Sequence, residues 1–193
     1  MGVNKKDVVP PLPPIPEDMG YDVDYEQLGK FIKGAEGFRE NSYRNEFYNP
    51  DGTIDLGEPT IGYGSEFYED GTRVQDGDTI TEEAAETLWR HHIDKGVTEL
   101  MKVPAFVKMN RNQKSGIISM AYNLGPYFME SQHYPDLQAA IRSGNQEDIH
   151  KQMRRYTKAG NPLRDVQGLI NRREDEIELM KTPLGNDDDG RYD

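Results

Sequence analysis

The sequence predicts a mixed α+β fold, in which a small antiparallel β-sheet lobe and a mainly α-helical lobe are joined by a long helix. A segment rich in Tyr, Thr and Ile with several turn dipeptides, residues 41–77, predicts the sheet. An apolar stripe at helical spacing starts near residue 81 and predicts the joining helix, and further stripes continue to residue 180. The 193 residues suit one domain with tails, because domains cluster at roughly 100–150 residues.

The N-terminal residues 1–24 are rich in proline and have neither a helical nor a strand period, so we expect a polyproline-like arm or linker. Asp24 is a candidate N-cap for a helix that begins at Tyr25, and Gly37 is its candidate terminator. Glu36 is then the last helical residue. Unpaired carbonyl groups at a helix end disfavour the ionised form of a nearby carboxyl group, so Glu36 is a candidate general acid. An exposed surface glutamate is the simpler interpretation.

Two turn signals divide the predicted sheet. Residues 49–52, Asn-Pro-Asp-Gly, and residues 69–72, Glu-Asp-Gly-Thr, predict consecutive hairpins that share a strand around residues 60–63. With the first turn centred on its Pro-Asp pair, the expected cross-strand pairs are Ser42 with Thr60, Asn45 with Gly57 and Phe47 with Asp55.

Glycines flank Tyr63 in the shared strand. Gly62 and Gly64 occupy alternate positions, which predicts one strand face without side chains, where a flat ligand can approach closely. A β-bulge or a tight strand crossing is the alternative explanation.

The second half of the chain predicts helices. Thr81 provides a cap, and two glutamates an acidic first turn, for the long joining helix. Later helices are predicted over residues 112–124, 136–142, 145–157 and 165–180, so the second lobe is expected to be entirely helical. Residues 182–193 are acidic and lack periodicity, which predicts a flexible tail and leaves residues 25–181 as the folded domain.

The composition argues against several classes of function. The chain has no cysteine, which rules out disulfides and cysteine nucleophiles, and its 4 histidines lack metal-binding spacing, so we expect no metal and no cofactor. A net charge of −12 argues against nucleic acid as a partner. No apolar stretch is long enough for a membrane span, and no signal peptide is recognisable in the sequence.

Charge is unevenly distributed along the chain. Residues 1–100 hold 9 basic and 22 acidic side chains, net −13, whereas residues 101–193 hold 14 and 13, net +1, which together give −12. Within residues 151–173 seven basic side chains accompany one acid. This segment is either an ordinary solvated helix face or a basic patch that faces a polyanion such as a bacterial wall.

Several blocks of sequence, in order, resemble the phage-type muramidases of glycoside hydrolase family 24. They are residues 31–37 (FIKGAEG), Tyr43, residues 60–64 (TIGYG), 80–84 (ITEEA), 116–125 (GIISMAYNLG) and 168–174 (GLINRRE). The resemblance covers residues 25–181 and implies a two-lobed lysozyme-like fold with peptidoglycan bound in the cleft between the lobes.

The resemblance also implies a catalytic set, namely a Glu that acts as acid and an Asp and a Thr that hold the attacking water. Glu36 matches the Glu and Thr60 matches the Thr, but the Asp position falls on Asn45. The segment between Asn45 and Thr60 is longer than in the family pattern. The expected hairpin geometry ranks Asp55 first as the substitute base, Asp51 second and Asn45, as a water-orienting amide, third, and a register shift of one residue would exchange the first two.

Three functions remain open at this point. The first is a muramidase that hydrolyses the β-1,4 bond between N-acetylmuramic acid and N-acetylglucosamine, with Asn45, Tyr63 and Asn123 in substrate binding. The second is a lytic transglycosylase, which needs one acid and yields 1,6-anhydro products, and the third is a non-catalytic wall-binding or virion module. We expect a monomer that stays in the host cytoplasm until a holin releases it to the wall, or that travels in the virion.

Overall fold

The structure is a computed structural model that describes residues 22–48, 51–159 and 163–184. Most of the predicted arm and tail, and the Asn-Pro pair of the first turn, therefore lie outside the described residues. The helices are α1 (Tyr25–Glu36), α2 (Glu82–Leu100), α3 (Pro104–Val107), α4 (Arg111–Leu124), α5 (Pro135–Ser143), α6 (Gln146–Met153) and α7 (Gln167–Lys181). The strands are β1 (Arg39–Tyr43), β2 (Glu46–Tyr48), β3 (Ile54–Leu56), β4 (Thr60–Gly62), β5 (Lys158–Ala159) and β6 (Arg164–Asp165).

Helix α1 begins and ends at the residues that the sequence predicts. The side chain of Asp24 accepts a hydrogen bond from the Gln27 amide at 2.8 Å, which satisfies one of the free N–H groups of the first turn. At the other end the Gly37 amide bonds the Lys33 carbonyl at 2.9 Å, and Gly37 has φ +69°. A local cap at each end thus places Glu36 in the last turn.

The first hairpin has the predicted register at its tip and a shifted register at its base. In β2–β3, Phe47 pairs with Asp55 as expected. In β1–β4, Tyr43 rather than Ser42 pairs with Thr60, and the ladder is irregular between Arg39 and Tyr43. Between the two ladders three residues, 57–59, face two, 44–45, so one extra residue separates the register at the tip from the register at the base.

The second predicted hairpin is wrong in its pairing. Strand β4 turns back at once, because Ile61 and Ser65 exchange two backbone hydrogen bonds of 2.9 and 3.0 Å around the Gly62–Gly64 turn. Gly62 and Gly64 have φ +63° and +90°, and these left-handed conformations allow the tight reversal. The turn at residues 69–72 forms a separate small hairpin closed by the bridge between Phe67 and Arg73.

The helical lobe is built around α4, which packs against α2 and α7. Trp89 of α2 is buried in the core. Gly116 marks the closest approach of α4 to α7, since a Cβ there would lie 2.4 Å from Cγ of Met180. The sequence of α4 thus brings its C-terminal end, with Asn123, beside α7 at the boundary between the lobes.

The expectation that this lobe contains only helices is wrong. Helix α6 ends at Met153, and β5 and β6 form a short antiparallel hairpin before α7 begins. The hairpin is closed by the Thr157 hydroxyl, which donates to Asp165 at 2.7 Å, and by the Val166 amide, which donates to the Thr157 carbonyl at 2.8 Å. The intervening Gly-Asn-Pro sequence, residues 160–162, is typical of a turn and was the missed signal.

Most basic side chains of residues 151–173 have partners within the protein, which contradicts a free basic patch. The contacts are Arg154 with Glu174, Arg155 with Asp136, Arg164 with the Tyr48 carbonyl, Arg172 with Glu36, and Arg173 with Glu176. Four of these contacts are ion pairs, which offset part of the positive charge that the sequence places in this segment. In the part of the chain that the structure describes, no helix is both long enough and apolar enough to cross a lipid bilayer.

Candidate active site

The site is centred on Glu36, where α1 meets the sheet. Its side chain is 22% exposed and borders two adjoining cavities of about 760 and 620 Å³. Gly64 lies directly beneath it, because a Cβ at residue 64 would be 3.1 Å from Oε2 of Glu36. The glycine therefore leaves room for the carboxyl group, and its φ of +90° would strain any other residue at this position.

The two cavities form a cleft between the lobes. Four residues line both of them, namely Glu36, Asn45, Glu66 and Asn123. The first cavity continues along β2 towards β6 and the start of α7, and the second continues along the Gly62–Gly64 turn towards α2 and the C-terminal end of α4. Because Glu36 lies where they meet, an extended ligand can pass it on both sides.

An arginine from the last helix contacts Glu36. Arg172 forms an ion pair with it through Nη1, and this side chain is 9% exposed. The structure thus places the positive charge of Arg172, as well as the carbonyl end of α1, beside this carboxyl group.

A buried cluster behind the cleft holds Arg172. Its Nε lies 3.3 Å from Oε1 of Glu176, which also accepts hydrogen bonds from Ser119 Oγ at 2.7 Å and Arg173 Nη2 at 2.9 Å. Burial raises the pKa of Glu176 and lowers the pKa of Arg173, and each group moderates the shift of the other. Glu176 is thus the buried acid partner of both Arg172 and Arg173.

Thr60 lies in the same cleft. It is 5% exposed, borders the second cavity and donates its hydroxyl hydrogen to the Glu58 carbonyl at 3.0 Å. This bond fixes the hydroxyl so that its oxygen can still accept a hydrogen bond from water. The structure thus brings Glu36 and Thr60 into one cavity, as the sequence predicts.

The two aspartates ranked first as the base do not reach this cleft. Asp55 lies on β3 opposite Phe47 and borders neither of the two cavities beside Glu36. Asp51 also borders neither of the two cavities. It accepts hydrogen bonds from the Thr53 amide and hydroxyl at 3.0 and 2.6 Å. These bonds lower the pKa of Asp51, which acts as a turn residue. The third choice, Asn45, borders both cavities.

Of the other predicted substrate-binding residues, the structure brings Asn123 to the cleft and not Tyr63. The Tyr63 ring is 6% exposed, and its hydroxyl donates to Glu86 of α2 at 3.0 Å. Gly62 also faces α2, since a Cβ there would lie 3.0 Å from Cβ of Ala85. The expected bare strand face is therefore wrong for Gly62, which permits close packing on α2 instead of ligand approach.

Sequence reasoning missed Glu66, which borders both cavities together with Glu36. The sequence feature that could have identified it is its position two residues after the glycine-rich turn, where the chain returns towards the cleft. Glu66 is exposed, and its backbone carbonyl accepts a hydrogen bond from Val74 at 2.9 Å. This bond anchors the loop at the edge of the cleft.

The histidines of α2 border the far end of the second cavity. Nε2 of His92 lies 3.0 Å from the Phe67 carbonyl, and burial lowers the pKa of its imidazole. Among the residues that the structure describes, no group of three or more His, Asp or Glu side chains is arranged to hold a metal ion. The carboxyl group of Glu36 suits proton transfer at a glycosidic bond, and the hydroxyl group of Thr60 suits the positioning of water there.

Comparisons with known proteins agree with this geometry. A sequence profile of the family described as phage lysozyme matches residues 33–176. No curated protein matches the chain. Solved structures do: an endolysin from Escherichia coli O157:H7 phage FAHEc1 is 25% identical, with TM-score 0.58 over 82% of this chain and 92% of that one.

Two further solved structures are similar to the chain. A mutant of P22 lysozyme is 25% identical, with TM-score 0.54 over 83% of this chain and 99% of that one. The muramidase domain of SpmX from Asticaccaulis excentricus is 24% identical, with TM-score 0.59 over 84% and 99%, a likeness of fold alone. Because the family profile runs from α1 to α7 and so includes both lobes and the cleft between them, the chain belongs to the phage lysozyme family of peptidoglycan-lytic enzymes.

Proposed function

We propose that the protein is an N-acetylmuramidase that hydrolyses the β-1,4 bond between N-acetylmuramic acid and N-acetylglucosamine in bacterial peptidoglycan. The observation that carries this proposal is the position of Glu36, whose partly buried side chain borders two cavities, the second of which Thr60 also borders. A polysaccharide that follows the cleft presents its glycosidic oxygens to this group. The expected substrate-binding amides, Asn45 and Asn123, border the same path.

The chemistry assigned to these residues is protonation of the leaving oxygen and positioning of water. Glu36 donates its proton to the glycosidic oxygen as the bond to the anomeric carbon breaks. Water attacks that carbon from the opposite side, held by the Thr60 hydroxyl and the Asn45 amide. Arg172 then stabilises the carboxylate that Glu36 becomes, because its guanidinium group is already in contact.

A second candidate is a lytic transglycosylase acting on the same bond. One observation favours it, namely that the family's aspartate position holds Asn45 and that neither Asp55 nor Asp51 borders the cleft. Without a base for water, the C6 hydroxyl of the muramic acid can attack its own anomeric carbon and form a 1,6-anhydro ring.

Digestion of purified peptidoglycan followed by mass spectrometry separates these candidates. Hydrolysis yields reducing muramic acid ends that borohydride converts to alditols, whereas transglycosylation yields ends that lack one water and resist reduction. Glu36→Gln should abolish either product. Asp55→Asn is the matched control, because it makes the same change of carboxylate to amide at a position outside both cavities. If Glu36→Gln digests peptidoglycan at the parent rate, the site is not catalytic and a wall-binding module becomes the better account.

We propose further that the protein acts as a monomer in bacterial lysis by a phage. Membership of the phage lysozyme family and similarity to a phage endolysin support this role. If a holin releases it, expression inside bacteria should cause lysis only when a holin is co-expressed. Virion carriage instead predicts that the protein is found in purified particles.

A further inference from the structure

Inverting hydrolysis needs a second carboxylate, and the family position for it holds an amide. Asn45 can orient water but cannot take its proton at neutral pH. The base of an inverting glycosidase lies roughly 6.5–9.5 Å from the acid, with water between the two groups. The base, where there is one, must therefore come from another carboxyl group that borders the cleft with Glu36.

Three carboxyl groups other than Glu36 border the described part of this cleft. Glu46 and Asp165 border only the first cavity, whereas Glu66 borders both. Each of the first two is already engaged, since Glu46 accepts a bond from the Tyr48 hydroxyl at 2.6 Å and Asp165 from the Thr157 hydroxyl at 2.7 Å. Glu66 thus borders the second cavity, which Thr60 also borders, whereas the other two do not.

The reversal at Gly62–Gly64 brings Glu66 to the cavity that Thr60 borders. Ile61 and Ser65 exchange both of their backbone hydrogen bonds as an isolated bridge, and Thr60 and Glu66 are the residues immediately outside it. Both residues border the second cavity, where the Thr60 hydroxyl is expected to hold the attacking water.

The glycine turn limits how far Glu66 can lie from Glu36. Oε2 of Glu36 lies 3.1 Å from the position that a Gly64 Cβ would take. Two residues of chain span at most about 7 Å, so the Cα atom of Glu66 is within that distance of the Cα atom of Gly64. This bound keeps Glu66 close to Glu36 along the cleft that both residues border.

We propose that Glu66 is the catalytic base of the hydrolysis, in the role that an aspartate at position 45 would otherwise have. The inference rests on the proposed muramidase function. Glu66 takes a proton from the water held at Thr60, and the water oxygen forms its bond to the anomeric carbon. The electron pair of the broken glycosidic bond goes to the leaving oxygen, which takes the proton of Glu36. Glu66 ends protonated and Glu36 ionised, and exchange with solvent restores both.

The test compares Glu66→Gln with Asp55→Asn, both of which change a carboxylate to an amide on the sheet lobe. The loss of a general base should lower kcat by about 100-fold or more, with little change in KM or in Tm. The control should keep the parent rate, because Asp55 borders neither cavity. Sodium azide should restore turnover of Glu66→Gln and yield a glycosyl azide, since this nucleophile needs no base. A structural role for Glu66 would produce no such rescue.

The outcomes distinguish this inference from the proposed function. If Glu36→Gln is inactive while Glu66→Gln keeps the parent kcat, the base assignment is overturned and the muramidase proposal stands. If the parent releases only 1,6-anhydro ends, both are overturned. A first product of inverted, α configuration in NMR spectra supports a base acting on water, and a first product of β configuration overturns it.

Discussion

Replacement of Gly116 by alanine tests how closely α4 and α7 pack. The added Cβ would lie 2.4 Å from Cγ and 2.8 Å from Sδ of Met180, and 3.0 Å from the backbone carbonyl of Glu176. The flexible methionine can move aside, but the carbonyl group belongs to α7 and cannot move without the helix. Gly116→Ala therefore pushes apart the two helices that carry Asn123 and Arg172.

The expected loss of stability follows from two opposing effects. Alanine favours a helix over glycine by about 1 kcal/mol, whereas overpacking of a core costs about 1–3 kcal/mol. The contacts with the Glu176 carbonyl place this site at the upper part of that range, so we expect a net loss of about 1–2 kcal/mol. In a protein of this size each kcal/mol lowers Tm by about 2–4 °C.

Gly34→Ala is the matched control for this experiment. Gly34 lies on the exposed side of α1, and a Cβ there would have no atom within 4 Å, so the helix preference acts alone and stability should rise by up to about 1 kcal/mol. Urea unfolding monitored by circular dichroism measures both variants. The packing argument fails if Gly116→Ala is as stable as the parent, or if both alanines shift the midpoint in the same direction.

Three further predictions concern charge. Arg172→Met should lower both kcat and Tm, because it leaves Glu36 without its cation in a partly buried site, and parent-like values of either would contradict the role of the ion pair. Burial lowers the pKa of His92. Below about pH 6.5 the unfolded chain therefore binds more protons than the folded one, and the free energy of unfolding decreases as the pH is lowered. His92→Gln should flatten the decline of Tm between about pH 8 and about pH 5, and an unchanged slope would assign it to other groups. Because residues 1–100 carry net charge −13, lysis of anionic walls should speed up as salt rises to about 0.15 M, and a flat rate would show that charge does not limit approach.

Features that depend on neighbouring residues could be predicted well. The limits of α1 follow from Asp24 and Gly37, whose caps involve residues three or four positions away. The pairing of Phe47 with Asp55 likewise follows from a turn four residues long. In both cases the interaction closes within a few residues, so the local sequence contains all of its determinants.

Predictions of strand pairing between residues farther apart in the sequence were less successful. One extra residue in the segment 57–59 moved the partner of Thr60 from Ser42 to Tyr43. The expected shared strand failed because β4 reverses at Gly62, and the glycine that was predicted to bare a surface packs on α2. A shift of one residue exchanges the two faces of a strand, so small local irregularities decide which side chains reach the cleft.

The sequence by itself determined the order of α1, the first hairpin, α2 and α4, the position of Glu36 at a helix end and the family to which the chain belongs. Only the tertiary structure decided which charged groups border the cleft with Glu36: Arg172, which is 136 residues away, and Glu66, whereas Asp55 borders neither cavity. Helix limits arise from hydrogen bonds within a few residues, whereas these contacts require two lobes to pack against each other. Apolar burial that drives such packing has no direction, so the pairing of distant polar groups is set by the shape of the folded chain.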